Sequence, residues 1–319
     1  MLRYALHRIA AVAAVLLVVS TAVFFIVYLT PGSPSSALLG MEATADQIQE
    51  LDARLGFDKP LPEQYLSWMG SILQGDLGDS LFMDEPVTQA IAEHFAPTLA
   101  IAVSAQTIAL LVAVPCGIMA AVRRGRALDG VLRVASLVGV AVPGFLMALI
   151  LVMAFAMNLR LFPVAGYAEL SEGLAVYARY LVLPSLALAA PQAALLMRMT
   201  RASMIEALEM DCVKTARAKG LSERTVVLKH ALRNAAAPIL TAVGYSFGGL
   251  ITGAVVIEVI FNIPGLGQLV TDSIARRDYP VIQGSILVVS FLYCLVNLVV
   301  DLACSAFDPR MRVWEHGDE

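Results

Sequence analysis

Apolar residues run through this chain in long uninterrupted stretches. Six are long enough to cross a hydrocarbon core, which takes about 20 residues as a helix. They fall at residues 8–30, 97–122, 131–157, 180–201, 236–261 and 281–306. None alternates as a barrel strand does, so each predicts a helix. Shorter patterns lie between the first two. ATADQIQELDARLGF (43–57) reads as a short helix, with Thr44 and Gln47 as a capping box, Ile48, Leu51 and Leu55 on one face, and Gly56 as terminator. EQYLSWMGSIL (63–73) again has helical spacing, and Tyr65 and Trp68 suit a membrane interface. This segment is read as a structural rim.

A polar segment separates the fourth and fifth runs. SMIEALEMDCVKTARAKG (203–220) consists of helix formers, with Glu206, Glu209 and Asp211 early and Lys214, Arg217 and Lys219 late. That order complements the helix dipole. Gly220 falls where a left-handed C-cap is needed. Ser222 is a natural N-cap for a second helix from about Glu223 to Ala236, and Pro238 suits the first turn of span five. The prediction is helix, sharp turn, helix. Val213, Ala216, Gly220 and Leu221 would present a small apolar knob ringed by positive charge. Such a knob fits a groove with acidic edges on a partner protein. An amphipathic segment lying on anionic lipid is the other reading.

Composition agrees with a membrane protein. The 319 residues are 59% hydrophobic and 15% charged, against about a quarter charged in soluble domains. Arg3, His7 and Arg8 precede the first run as they would in a signal peptide. Its apolar stretch exceeds the roughly 7–15 residues of such a leader, so a retained helix is expected. Basic residues are segregated. Arg123, Arg124, Arg126 and Arg133 lie between spans two and three, and Arg198, Arg201 and the six bases of residues 211–240 lie between spans four and five. Residues 31–96 hold eleven acids against Arg54 and Lys59. The positive-inside rule then places both termini and both basic segments in the cytoplasm.

Several spans carry breakers. Pro143-Gly144 interrupts the third and Pro191 the fourth, and the fifth holds Gly244, Gly248, Gly249 and Gly253. The pairs Gly244/Gly248 and Gly249/Gly253 allow close helix approach, within the bundle or along a pathway. Glu258 lies near the outer end of span five, and Asp301 near the inner end of span six as a partner for a loop Arg. No acids pair at mid-depth, which disfavours an ion-driven secondary carrier. A membrane scaffold without transport would not need broken, Gly-rich helices. The sequence lacks GxxxxGK[ST], HExxH and GxSxG, the four His are scattered, and the four Cys have no metal spacing. No catalytic residue, cofactor site or metal site is expected in this chain.

DCVKTARAKGLSERTVVLKHALRNAAAPIL (211–240) resembles the cytoplasmic coupling ("EAA") loop of permease subunits of ABC importers, in the peptide/nickel branch. Cys212 stands where an aromatic is usual, and Lys214-Thr215-Ala216 occupies the place of the Glu-Ala-Ala. LTPGSP (29–34), LGFDKPLPEQYLSWMGSILQGDLGDS (55–80), EVIFNIPGLGQL (258–269), RRDYPVIQG (276–284) and DPRMR (308–312) also match that branch, in order.

The resemblance implies an all-α, type I permease bundle with six transmembrane helices and both termini inside. Its parts would be a tail and first span (1–30), an extracytoplasmic loop (31–96), a five-helix core (97–306) with the coupling loop at about 203–236, and a cytoplasmic tail (307–319). It implies a bacterial inner-membrane location and four kinds of partner. These are a second homologous permease, two cytoplasmic ABC ATPase subunits that hold the ATP and Mg, a substrate-binding protein, and lipid. Asp211, Val213, Thr215, Ala216, Arg217, Lys219, Gly220 and Leu221 would couple to an ATPase subunit. Gly244, Gly248, Gly249, Glu258, Pro264, Gly265 and Gly267 are the pathway or gate candidates, the last three in a scoop-like outer turn. The implied cargo is di- or oligopeptides, or else nickel chelates, glutathione-like compounds or opines.

Overall fold

The computed structural model describes residues 2–29, 44–56 and 58–307. Most of LTPGSP and all of DPRMR lie outside them, as does the rest of the C-terminal tail. The described chain is helical. In order it forms α1 (Leu2–Leu29), α2 (Ala45–Leu55), α3 (Leu61–Leu73), α4 (Val87–Val122), α5 (Ala127–Ala141), α6 (Gly144–Asn158), α7 (Leu174–Glu209), α8 (Asp211–Ala218), α9 (Glu223–Phe261), α10 (Leu266–Arg276) and α11 (Tyr279–Phe307). Helices α1, α4, α7, α9 and α11 are each long and apolar enough to cross a membrane. The predicted third span is α5 and α6, bent by 101° at Pro143-Gly144, so there are up to six spans if the pair counts as one. Pro143 takes extended geometry (φ −59°, ψ 144°) and caps α6, which turns the expected interruption into a corner.

The helices outrun the apolar runs. α4 and α7 have 36 residues each, about 54 Å at 1.5 Å per residue. α4 begins ten residues before its predicted span, and Pro184 and Pro191 lie inside α7. Pro238 does not open span five either. α9 is continuous from Glu223, with a π-helical stretch at Val226–Ala231, so Pro238 is internal and leaves the Asn234 carbonyl without its usual N–H. Neighbouring helices and wide turns accommodate such breaks in apolar bundles.

Two compact units can be separated. One comprises residues 2–9, 99–263 and 293–307. Its core joins Ile101, Ala105, Ala109 and Ala113 of α4 to Leu183, Ala187, Leu188 and Leu196 of α7 and Leu250, Ala254, Ile257 and Phe261 of α9. Small residues bring backbones close. A Cβ at Gly117 would sit 2.6 Å from Thr200 Cβ and 2.9 Å from the Met197 carbonyl oxygen, and one at Gly139 2.7 Å from Ala194 Cβ. Asp301 pairs at 2.9 Å with Arg8, a helical residue of α1, rather than with the loop Arg expected.

The other unit comprises residues 10–98 and 264–292. The expected capping box is present at α2: Thr44 Oγ1 accepts from Gln47 N–H at 3.4 Å, and Gln47 Oε1 from Thr44 N–H at 3.0 Å. Gly56 ends the helix at φ +78°. Phe24, Tyr65 and Trp68 form an aromatic cluster, with Phe24 5.2 and 5.4 Å from the other two ring centroids. The Thr21 and Tyr65 hydroxyls meet at 2.9 Å. Two recognised motifs join here. Ser80 donates to Asp278 Oδ2 at 2.5 Å, and Leu81 N–H to Asp278 Oδ1 at 3.2 Å. Val87, Ala90, Ile91, Leu266, Leu269 and Val281 form this unit's core.

Candidate coupling surface and pathway residues

The basic segment is built differently from its predicted form in two respects, the first at Met210. No single helix runs from Ser203 to Gly220, because α7 stops at Glu209 and Met210 is extended (φ −67°, ψ 146°). Asp211 then opens a separate eight-residue helix, α8, where its charge suits the N-terminus. The Lys214 ammonium at 2.9 Å holds the Asp211 carboxyl below the usual carboxylate range. Thr215 donates back to the Asp211 carbonyl at 2.8 Å.

The C-terminal turn has the predicted chemistry. Gly220 sits at φ +77°. Its N–H donates to the Arg217 carbonyl at 2.9 Å, and Leu221 N–H to the Ala216 carbonyl at 3.4 Å. These are the two bonds of a Schellman motif. Ser222 then caps α9 through Thr225 N–H. Across the turn Arg217 donates to both carboxylate oxygens of Glu223, at 2.9 and 3.3 Å.

The expected apolar knob does not form. Val213 is 0% and Ala216 5% exposed. Both join a cluster with Ala121 of α4, Met204 and Ala207 of α7, and Val226, Val227, Ala231, Ala235 and Ile239 of α9. The helical pattern holds, but its apolar side turns inward rather than outward. Val213 and Ala216 are three apart and share a face, and that face seats α8 on its own bundle. Asp211, Cys212, Lys214, Thr215, Arg217, Lys219, Gly220 and Leu221 remain exposed, a mostly polar ridge with Leu221 at its tip. Val213 and Ala216 thus pack α8 against three long helices, α4, α7 and α9.

The chain matches the family described as "Binding-protein-dependent transport system inner membrane component" over residues 113–313, and the N-terminal component of the same system over residues 1–102. The chain belongs to that family. The permease is 40% identical over 309 residues to "Probable peptide ABC transporter permease protein y4tP" of Sinorhizobium fredii (strain NBRC 101917 / NGR234), covering 97% of this chain and 99% of the relative. It is also 40% identical over 312 residues to the glutathione transport system permease protein GsiC of Escherichia coli (strain K12), covering 98% and 99%. Among solved structures it resembles an inward-facing MetNI methionine ABC transporter chain, with a TM-score of 0.56 and 17% identity over 71% of this chain and all of that one. That likeness concerns the fold alone.

The pathway candidates of the permease divide between the two units. Gly244 and Gly248 face α11, where a Cβ would lie 3.1 Å from Val300 Cγ1 and 2.8 Å from Tyr293 Cε2 respectively. A Cβ at Gly249 would collide with the Gln192 amide of α7, and one at Gly253 would come within 2.7 Å of Leu188 Cδ1. Both small-residue pairs therefore serve packing inside the chain. Glu258 is fully buried in the same unit. Pro264, Gly265 and Gly267 belong to the other unit, at the start of α10, where Leu266 N–H donates to Thr98 Oγ1 at 2.7 Å.

Sequence reasoning missed several residues of this region. On α9, Thr241, Tyr245, Thr252 and Val256 join the candidate Gly249 on one exposed face, with Tyr245 70% exposed. Their spacing of three and four was the available signal. At mid-helix Ser246 donates to Gln106 Oε1 at 3.1 Å, while the buried Gln106 Nε2 has no partner. Asp129, a lone acid among arginines, was also overlooked.

Proposed function

We propose that this chain forms half of the translocation pathway of an ATP-driven importer for di- and oligopeptides handed over by a substrate-binding protein. A second homologous permease completes the pathway, and two ABC ATPase subunits supply the energy. The chain carries no catalytic residue, and ATP and Mg reside on the ATPase subunits. In this reading α5 and α6 count as one of six spans. Both termini, the loop after α4 and α8 lie in the cytoplasm, because the arginines and lysines of the short connections gather there.

The observation that carries the reading is the construction of α8. Its exposed polar ridge offers a shaped surface to an ATPase subunit, and its buried side is fastened to α4, α7 and α9 through Val213 and Ala216. A helix with that connection acts as a lever. The uncovered face of α9 with Thr241, Tyr245 and Thr252 lines the pathway or the second permease. Its threonine and tyrosine hydroxyls suit peptide better than lipid.

The named cargo of the relatives supports a peptide-like solute. The glutathione permease favours a second form of the same reading, in which the solute is a glutathione-like peptide. Nickel chelates and opines are the other cargoes the same machinery would carry.

The test is purification of the whole assembly followed by reconstitution in vesicles, with uptake of labelled di- and tripeptides measured with and without ATP. The reading expects ATP-dependent uptake that requires the binding protein. Uptake driven by a proton or sodium gradient alone would overturn it.

A further inference from the structure

Asp129 is 1% exposed, near the start of α5 in a segment otherwise rich in arginine. Arg201 of α7 donates to it through both Nε and Nη2, at 2.7 Å to Oδ1 and 3.0 Å to Oδ2. Gly125 N–H donates to Oδ2 at 3.0 Å, from a residue at φ +80° in the α4–α5 turn. Arg133 Nε lies 3.6 Å from Oδ1. One carboxylate thus gathers the turn after α4, the first turns of α5 and the lower part of α7.

A second, exposed pair runs parallel to it, Arg124 Nη1 to Glu209 Oε1 at 2.7 Å. Arg201 and Glu209 flank Met204 and Ala207, the α7 residues on which Val213 and Ala216 rest. One turn away, Gly117 of α4 is pressed against Thr200. The clamp therefore encloses the stretch of α7 that receives α8.

We propose that Asp129 is a positioning residue for energy coupling, binding the α4–α5 turn to α7 so that a thrust on α8 moves α4, α5 and α7 as one body. The proposal rests on the reading of α8 as the ATPase contact. A bidentate guanidinium–carboxylate pair fixes orientation as well as distance. With the pair broken, α7 can yield under load without carrying α4 and α5. ATP is then hydrolysed with little solute moved. Coupling between separated sites is typically altered by about twofold to thirtyfold when an intervening residue changes.

The experiment uses the complete transporter in proteoliposomes and measures both ATP hydrolysis and peptide uptake. Asp129→Asn should co-purify with its ATPase subunits and hydrolyse ATP, while solute moved per ATP falls roughly tenfold. Arg201→Lys, which keeps the charge and loses the fork, should show the same uncoupling, and the double variant should be no worse than either single one. Asp129→Glu should recover part of the ratio. If Asp129→Asn does not assemble, Arg201→Lys alone decides the matter. An unchanged ratio in the assembled variants, or a loss of uptake that simply follows the amount assembled, would overturn the proposal. If the wild-type chain itself captures no ATPase, the reading of α8 fails instead, and the two failures are distinguishable.

Discussion

Arg217 and Glu223 close the turn around Gly220 with a two-pronged contact, guanidinium to carboxylate at 2.9 and 3.3 Å. The pair links the last turn of α8 to the first turn of α9. It is exposed on both sides, so it contributes at most about 1 kcal/mol. Arg217→Ala should therefore lower transport only modestly, and the effect should shrink in high salt. Uptake measured at low and high ionic strength checks this.

Gly220→Val should act much more strongly. A Cβ there would meet nothing within 4 Å, so the cost is conformational and comes from the positive φ alone. A left-handed conformation costs an ordinary residue about 1–2 kcal/mol, and a β-branched one fits it worst. The variant should insert normally yet lose most ATP-dependent uptake, whereas Gly220→Asn should retain it. Equal uptake by both variants at equal expression would count against the turn as the element that sets α8.

Val213→Ala removes two methyl groups from a fully buried position. The expected loss is about 1–3 kcal/mol, local to the seat of α8. Hydrogen exchange of residues 211–220 should quicken while that of the α7 and α9 midsections stays unchanged.

Glycines at the helix crossings give a paired test. Gly117→Val places carbon against Thr200 and a backbone oxygen that cannot move aside, so thermal stability in detergent should fall by at least about 1–3 kcal/mol. Gly130→Ala, in α5 with open space around it, should be neutral or gain up to about 1 kcal/mol from helix propensity.

Asp211 defines the pH response of α8. Its carboxyl is held below the usual range by Lys214. A group of this kind adds stability above its unfolded pKa and loses it as pH falls through the lowered folded value. The loss lies below about pH 4. Binding of the ATPase subunits should therefore be flat in pH between about 6 and 8 as far as this group is concerned, which co-purification across that range measures.

Much of this architecture was legible because it is local. The box of Thr44 and Gln47, the stops at Gly56 and Gly220, and the cap at Ser222 depend on residues within a few positions of each other. The apolar runs mark their helices because lipid demands continuity. The missed features depend on distant partners. Asp129 meets Arg201 72 residues later, and Ser80 meets Asp278 across 198 residues. Met210 is a good helix former in extended geometry, set there by the burial of Val213 and Ala216 beneath it. Pro191 reads as a breaker and Pro238 as a helix start, and both lie inside helices, since packing against neighbours outweighs one lost hydrogen bond.

The most direct test of α8 as the contact to the ATPase uses a native probe. Cys212 is exposed on α8, whereas Cys294 and Cys304 are buried and Cys116 is half-buried. A short thiol-reactive crosslinker applied to the assembled transporter should join Cys212 to an ATPase subunit, with a yield that changes when ATP is added. If Cys212 is labelled freely and links to no ATPase subunit in an assembly that transports peptide, α8 is not the coupling element.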